Sequence, residues 1–338
     1  MEQKEPGFNE QRIRKITQSY YSRADIQKAI FDFSKNREIC PRYFEGFGKR
    51  PDSFQYPSDI FQLVKKGATS FHCSEELWNE PLKLSTELKE SQLNDLRIGW
   101  DLLLDIDSKY LDYSKIMLEE IIKILNFHGV KNIGVKFSGS KGWHIIIPWK
   151  AFPKEINNIQ TKNMFPDWAR ILLKYIAEKV HPYLVKRISE LNSPSKYIKD
   201  YKASKEVIPD VILVSSRHLF RMPYSLHEKT ALASVVLKPE EIKNFQPKDA
   251  NPMKVEVRNF IPNSQEGEAK ELLVQALDWY KEKNPEEEKK QKTDFQPIKL
   301  SNLSEAQFPP CVQNILKGVA DGRKRSVFVL INLFRSIG

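Results

Sequence analysis

Residues 98–107 read IGWDLLLDID and begin the most regular part of the chain. Successive side chains along it alternate between two faces, which is the pattern of a half-buried β-strand. Leu102, Leu104 and Ile106 would face one way. Leu103, Asp105 and Asp107 would face the other. The stretch therefore predicts a strand that carries two carboxylates at its end.

The residues that follow this strand predict a β-α-β unit with an attached hairpin. A helix is predicted over residues 114–127, a second strand over 133–137 and a third over 143–148, after a turn at 138–142. This order is typical of an α+β fold with an RNA-recognition-motif-like (ferredoxin-like) antiparallel sheet. We expect flanking helices and a second α/β subdomain around it.

Other parts of the chain carry weaker patterns. Residues 1–35 have helical periodicity, and residues 37–78 read as irregular apart from a short helix at 58–66. A long helix begins at residues 166–167, and Pro182 should kink or divide it. A short strand is predicted at 211–214 and a last helix around 272–280.

The composition excludes several classes of protein. The 338 residues include 40% hydrophobic and 29% charged residues, which is typical of a soluble globular chain. No apolar run approaches the ~20 residues of a membrane helix, and the first residues lack a signal-peptide core. Three cysteines cannot form a disulfide framework, so we expect a cytoplasmic protein. The excess of 54 basic over 44 acidic residues (54 − 44 = +10) weakly indicates a polyanionic partner.

Asp105 and Asp107 are the first candidates for chemistry. Two carboxylates at i and i+2 on a strand lie close together, and a divalent cation between them would relieve their repulsion. The same spacing also occurs at ordinary solvated strand ends, so this pair alone leaves both interpretations open.

The turn at residues 138–142 and His144 form a second candidate site. Two glycines allow the backbone to approach a ligand closely. Ser138, Lys141 and His144 supply hydrogen-bond donors at the same end of the hairpin, which suits a triphosphate. An ordinary glycine-rich hairpin with a surface lysine would look similar.

A third cluster lies at Asp210 and residues 216–230, where SRHLFRMPYSLHEKT contains two arginines, two histidines and a lysine. This density of cationic and hydrogen-bonding groups indicates an anion-binding site, or a charged loop beside a strand.

The ordered set LDID (104–107), SGSKGWH (138–144) and HLFRMPYSLHEKT (218–230) resembles the catalytic core of archaeo-eukaryotic primases and primase-polymerases. Tyr20-Tyr21, Arg37-Glu38 and residues 50–54 resemble the opening of the small subunits of that superfamily. The resemblance covers roughly residues 20–230, and the three motifs in this order are far more specific than any one of them.

The resemblance implies a template-dependent nucleotidyltransferase that acts on single-stranded DNA, starts primers from two nucleoside triphosphates and extends them. Two Mg²⁺ or Mn²⁺ ions would be held by Asp105, Asp107 and Asp210. The nucleotide would be bound by residues that match the family motifs: Ser138, Lys141, His144, Arg221, His227 and, less directly, Arg50. Because no Cys/His cluster matches the zinc site of the small subunits, we expect no zinc.

The resemblance also bears on domain organisation. We expect a catalytic domain at residues 1–280, a charged linker at 281–300 and, at 301–338, the truncated start of an accessory domain similar to that of primase large subunits. Cys311 would be one ligand of an iron–sulfur cluster that this chain alone cannot complete. This layout predicts a fragment of a stand-alone primase-polymerase, of the CRISPR-associated or mobile-element kind, with replication, repair or CRISPR-associated partners.

Two other functions are compatible with parts of the pattern. One is a non-catalytic module that binds single-stranded nucleic acid, which would require no carboxylate pair. The other is a metal-dependent nucleotide-sugar transferase, which would leave residues 138–144 and 218–230 unexplained.

Overall fold

The computed structural model describes residues 8–108, 110–191, 214–285, 308–319 and 322–337. The chain divides into two compact units, Met1–Tyr280 and Lys281–Gly338. None of the helices in these ranges is both long and apolar enough to cross a membrane.

In the described part of residues 1–35, the predicted helical periodicity is confirmed as two helices, α1 (Phe8–Tyr21) and α2 (Ala24–Ser34). Their apolar positions recur on one face, so that Tyr20, Tyr21 and Ile26 are fully buried. The Tyr20 hydroxyl donates to the backbone carbonyl of Tyr224, 204 residues later. The first helix is therefore attached to the segment that carries the third motif.

The prediction of irregular structure for residues 37–78 is wrong. This segment forms β1 (Ile39–Arg42), α3 (Ser58–Lys65), β2 (Ser70–Ser74) and β3 (Glu76–Trp78), and only α3 was expected. β2 is the middle strand of a three-stranded antiparallel sheet between β1 and β10 (Leu219–Arg221). Local periodicity does not show these strands, because their partners are distant in the chain.

The stretch 98–107 forms two strands instead of one. After α4 (Glu90–Leu96), β4 (Arg97–Trp100) pairs with β3, and β5 (Leu102–Ile106) joins another sheet. The break falls at Asp101, a buried carboxylate that binds the Arg37 guanidinium and accepts a hydrogen bond from the Trp149 backbone. These contacts hold the chain where it passes from one sheet to the other.

The predicted β-α-β unit and hairpin are confirmed as β5, α5 (Leu111–Phe127), β6 (Gly134–Phe137) and β7 (Trp143–Ile147). β7 lies between β5 and β6, and all neighbours are antiparallel. The fourth strand, β11 (Val236–Leu237), pairs with β6. In a ferredoxin-like sheet this strand would lie beside the first strand, so the ferredoxin-like order is not confirmed, and the fold is a mixture of helices and antiparallel sheets.

The hairpin of β8 (Glu155–Ile156) and β9 (Ile159–Gln160) precedes α6 (Asp167–Leu191), which packs on α5. α6 continues through Pro182, so the predicted division of this helix does not occur. Val180 and Leu184 are both buried, which shows that packing holds the helix on either side of the proline. The strand predicted at 211–214 falls mostly outside the described residues.

The last predicted helix is confirmed as α7 (Lys270–Lys283), with Leu272, Leu273 and Ala276 buried. The second unit contains α8 (Pro310–Leu316) and α9 (Arg323–Ile337). Residues 286–307, which include most of the predicted linker, lie outside the described residues. The accessory-domain assignment therefore stays a prediction.

Candidate functional site

The two aspartates lie at the end of β5. The Asp105 side chain is 31% exposed within the strand, and Asp107 is exposed just beyond it. One Asp107 carboxylate oxygen accepts a hydrogen bond of 2.9 Å from the backbone N–H of Ser108. Both carboxylates are thus accessible to a ligand, and their role in binding a cation stays a prediction.

Asp105, His144 and Lys136 stand in one row across three neighbouring strands. Asp105 is paired with His144 in the register of β5 and β7, and His144 with Lys136 in the register of β7 and β6. Directly paired side chains point to the same face of a sheet. His144 Nε2 accordingly lies 3.5 Å from Asp105 Oδ1.

The other two members of the row are buried. The His144 side chain is 6% exposed, and its Nδ1 has no hydrogen-bond partner among the residues that the structure describes. Lys136 is 0% exposed and donates a hydrogen bond of 2.8 Å to Ser234 Oγ. Burial lowers the pKa of both groups well below their usual values, and the positive charge of Arg221 lowers them further. Lys136 was not among the residues predicted for the site, although it lies only two residues before Ser138, which was.

The loop at residues 138–142 lies against the end of β5. A side chain on Gly142 would come within 2.9 Å of the Ile106 carbonyl and 3.3 Å of Asp107 Oδ1. Ser138 closes the loop, because its hydroxyl oxygen accepts from the Gly142 N–H at 3.2 Å. The Lys141 side chain is exposed, while its carbonyl accepts a hydrogen bond from the Ser114 hydroxyl of α5. The loop thus carries an exposed lysine next to Gly142, the residue that lies against Asp107.

Residues 221–230, which we call the basic arm, pack on the opposite side of this loop. The Thr230 hydroxyl donates a hydrogen bond of 2.6 Å to the Gly139 carbonyl. His227 Nδ1 lies 3.3 Å and 3.4 Å from the backbone N–H groups of Lys229 and Thr230, as an acceptor. Burial, together with the charge of Arg221, lowers the pKa of His227 to about 4. His227 is therefore a neutral group at physiological pH.

Arg221 is largely buried, with 10% of its side chain exposed. Its guanidinium donates hydrogen bonds of 2.6 Å to the Leu226 carbonyl and to Glu228. In this structure Arg221 thus shapes the basic arm from within. Its predicted contact with the nucleotide stays a prediction.

Arg50 shares a buried carboxylate with a second arginine. Glu38, whose side chain is 0% exposed, accepts hydrogen bonds from Arg50 and from Arg217, at 2.9 Å and 2.7 Å. Burial opposes the ionisation of Glu38, but the two arginines outweigh it and lower its pKa. Arg217 belongs to the cationic cluster at residues 216–230, and the sequence predicted no separate role for it. Its φ of 60° was not readable from the sequence.

Glu75 and His218 form a further pair beside this cluster. Glu75 is 2% exposed, and one of its oxygens lies 3.1 Å from His218 Nδ1. Burial raises the pKa of Glu75 to about 7, although His218 acts in the opposite direction. Glu75 was also not predicted from the sequence as a titratable group of the site.

Asp210 and Cys311 are the two remaining predicted site residues. Asp210 lies outside the described residues. Cys311 is an exposed thiol on α8 in the second unit. Among the residues that the structure describes, no group of three or more His, Cys, Asp or Glu side chains could hold one metal ion.

Comparison with known proteins gives three kinds of similarity. Residues 104–239 match the family model of the DNA primase small subunit. The chain is 24% identical over 252 residues to the DNA primase small subunit PriS of Pyrobaculum islandicum, over 66% of this chain and 76% of that protein. It is also 33% identical over 124 residues to an uncharacterized protein of Methanocaldococcus jannaschii, of which it spans 27%.

Two solved structures are similar to this chain at lower sequence identity than these relatives. The polymerase domain of Mycobacterium tuberculosis ligase D, in complex with DNA, has a TM-score of 0.44 and 15% identity, over 78% of this chain and 88% of that one. Primase RepB′ has a TM-score of 0.38 and 12% identity, over 78% and 66% of the two chains.

The match to the family model of the primase small subunit spans all three motifs that meet in the site. The matched range contains Asp105 and Asp107, the loop at 138–142 and the basic arm. The chain therefore contains an archaeo-eukaryotic primase-like core.

Proposed function

We propose that this protein is a DNA-directed primase-polymerase, which joins nucleotides on a single-stranded DNA template, begins primers from two nucleoside triphosphates and then extends them. The observation that carries the proposal is the meeting of three distant segments. The aspartates at the end of β5 lie against the loop at 138–142, and this loop packs on the basic arm. An acidic pair beside cationic groups suits a metal-bound triphosphate.

The chemistry of the donor set fits Mg²⁺ or Mn²⁺. Carboxylate oxygens are the ligands that these hard cations prefer. Asp105 and Asp107 would hold the ions together with Asp210, which the sequence motif assigns. When bound, such ions lower the pKa of the attacking 3′-hydroxyl and neutralise the triphosphate and the departing pyrophosphate.

The chain's own residues would position the reactants. The exposed Lys141 ammonium, on the loop that lies against Asp107, would bind the β- and γ-phosphates. The backbone of the 138–142 loop, held by Ser138, would approach the same phosphates closely. The 3′-oxygen then forms a bond to the α-phosphorus, and the bond to the bridging oxygen breaks as pyrophosphate leaves.

His144 would act next to Asp105. Because the imidazole is nearly buried and its Nε2 lies 3.5 Å from Asp105 Oδ1, it would hold this carboxylate in a fixed orientation. A direct contact of His144 with the triphosphate is what the family resemblance implies. The net charge of +10 favours binding of the template through its phosphates, so we expect this binding to weaken with salt.

Primer-free synthesis of dinucleotides on single-stranded DNA with Mn²⁺ tests the proposal. We expect Asp105→Ala and Asp107→Ala to abolish product, because either change removes a metal ligand. Asp112→Ala is the matched control, since Asp112 is an exposed carboxylate in the first turn of α5. Product from Asp105→Ala at the wild-type rate would overturn the assignment.

A second measurement separates this function from the two other candidates. Nucleoside triphosphates with Mn²⁺ should raise the thermal unfolding temperature of the wild-type protein, whereas nucleotide sugars should not. Stabilisation by nucleotide sugars alone would favour a sugar transferase. Stabilisation by single-stranded DNA without any response to nucleotides would favour a non-catalytic binding module.

A further inference from the structure

Phe47 is an exposed aromatic residue on a tight hairpin that follows β1. Its side chain is 53% exposed. The hairpin is closed by hydrogen bonds from the Tyr43 N–H to the Gly46 carbonyl at 2.7 Å and from the Gly48 N–H to the Pro41 carbonyl at 2.8 Å. Phe47 and Arg42 form an antiparallel bridge across it. The ring is thus held at a fixed place on the surface.

Two side chains support the ring from inside the protein. The Arg42 guanidinium lies over one face, 5.0 Å from the ring centroid. The His72 ring meets Phe47 at right angles, with the centroids 5.0 Å apart. A cation behind an aromatic ring and a perpendicular neighbour are both favourable arrangements. They leave the remainder of the ring open to a ligand.

The same two residues connect Phe47 to the basic arm. Arg42 Nε lies 3.7 Å from Glu228, and Glu228 also binds Arg221. His72 is paired with Arg221 in the register of β2 and β10. Phe47 is therefore connected through one intervening side chain to the basic arm, whose Arg221 the family resemblance assigns to the nucleotide.

We propose that Phe47 is the stacking platform for the base of the bound nucleoside triphosphate, an inference that rests on the proposed function. An aromatic ring can stack on any base because each base has a π-face. A phenyl ring has no hydrogen-bonding group with which to select one base. Such a platform holds the nucleotide and leaves the choice of base to the template strand.

Binding of a fluorescent nucleotide tests this inference without requiring catalysis. The probe is 2-aminopurine riboside triphosphate with Mn²⁺, whose fluorescence is quenched when the base stacks. We expect Phe47→Ala to weaken binding by about tenfold, as for the loss of one base–aromatic stack, and to reduce the quenching. Phe47→Tyr should restore both.

Two controls separate stacking from other effects. Phe127→Ala removes an 80% exposed ring at the other end of α5 from Ser114 and should change neither affinity nor quenching. Inorganic tripolyphosphate, which has no base, should bind Phe47→Ala and the wild type equally.

Each other outcome has a definite meaning. Unchanged binding of the fluorescent nucleotide by Phe47→Ala would overturn the inference. Equal weakening of nucleotide and tripolyphosphate would also overturn it, because Phe47 would then act only by supporting the basic arm. A wild-type protein that binds neither probe would instead contradict the proposed function itself.

Discussion

Gly139 packs so closely on His227 that a methyl group on Gly139 would lie 2.8 Å from the His227 Cβ. The two residues are far apart in the sequence, and each belongs to a different motif. A hydrogen bond from Thr230 to the Gly139 carbonyl holds the same contact. The loop beside the aspartates and the basic arm therefore depend on each other for position.

Gly139→Ala should separate these two segments. Gly139 has a φ of +99°, so alanine is strained there and also collides with His227. We expect a loss of about 2 kcal/mol in the free energy of unfolding, measured with urea, and at least a tenfold loss in nucleotide incorporation.

Gly129→Ala is the control for backbone strain alone. Gly129 has a φ of +81°, and nothing lies within 4 Å of the added carbon. Gly129→Ala should lower the free energy of unfolding by about 1 kcal/mol and leave nucleotide incorporation unchanged. Equal activity of the two variants would show that the contact with His227 does not position the site.

Glu38→Ala should release Arg50 and Arg217 together. Glu38 is buried, but Arg50 is 33% exposed, so water replaces part of the lost interaction. We expect a loss of about 2 kcal/mol in unfolding free energy, less than for a fully buried pair, and a raised KM for nucleotides. Glu80→Ala, which breaks an exposed pair with Lys83, should have little effect on either quantity. A normal KM in Glu38→Ala would show that the two arginines do not serve the nucleotide.

Lys136→Met should stabilise the protein at neutral pH by about 1 kcal/mol, because burying a lysine is unfavourable and methionine has a similar shape. The pKa of Lys136 is lowered in the folded state, so the unfolded chain binds more protons and the wild type gains stability as the pH rises. The advantage of the variant should therefore shrink as the pH approaches 10.5, the ordinary value for lysine. Urea unfolding at pH 7 and pH 10 measures it, and an advantage that grows with pH would contradict the prediction.

Glu75→Gln should flatten the pH dependence of stability. Glu75 has a pKa of about 7 in the folded protein against an ordinary value of 4.5, so the folded state binds more protons between these two values. Wild-type stability contributed by this group is present below pH 4.5 and is lost as the pH rises through 7. The variant should therefore gain relative to the wild type between pH 5 and pH 8, in unfolding measured across that range. A constant difference would mean that Glu75 does not titrate there.

Local patterns in the sequence were sufficient to predict the central β-α-β unit, the hairpin and the three motifs. Alternation places Asp105 on the polar face of a strand, and glycines mark the loop at 138–142, so these features depend on residues close together in the chain. The family resemblance rests on the same local patterns. The residue types that would carry the chemistry were readable for this reason.

The way in which these elements are assembled is visible only in the tertiary structure. Partners distant in sequence set three features of the fold: the pairing of β2 with β10, the break at Asp101 and the position of β11 beside β6. The burial of Lys136 and the sharing of Glu38 by two arginines follow from that assembly. Long-range strand register has no local signature, because it is selected by packing of the whole core, and this packing places His144 beside Asp105.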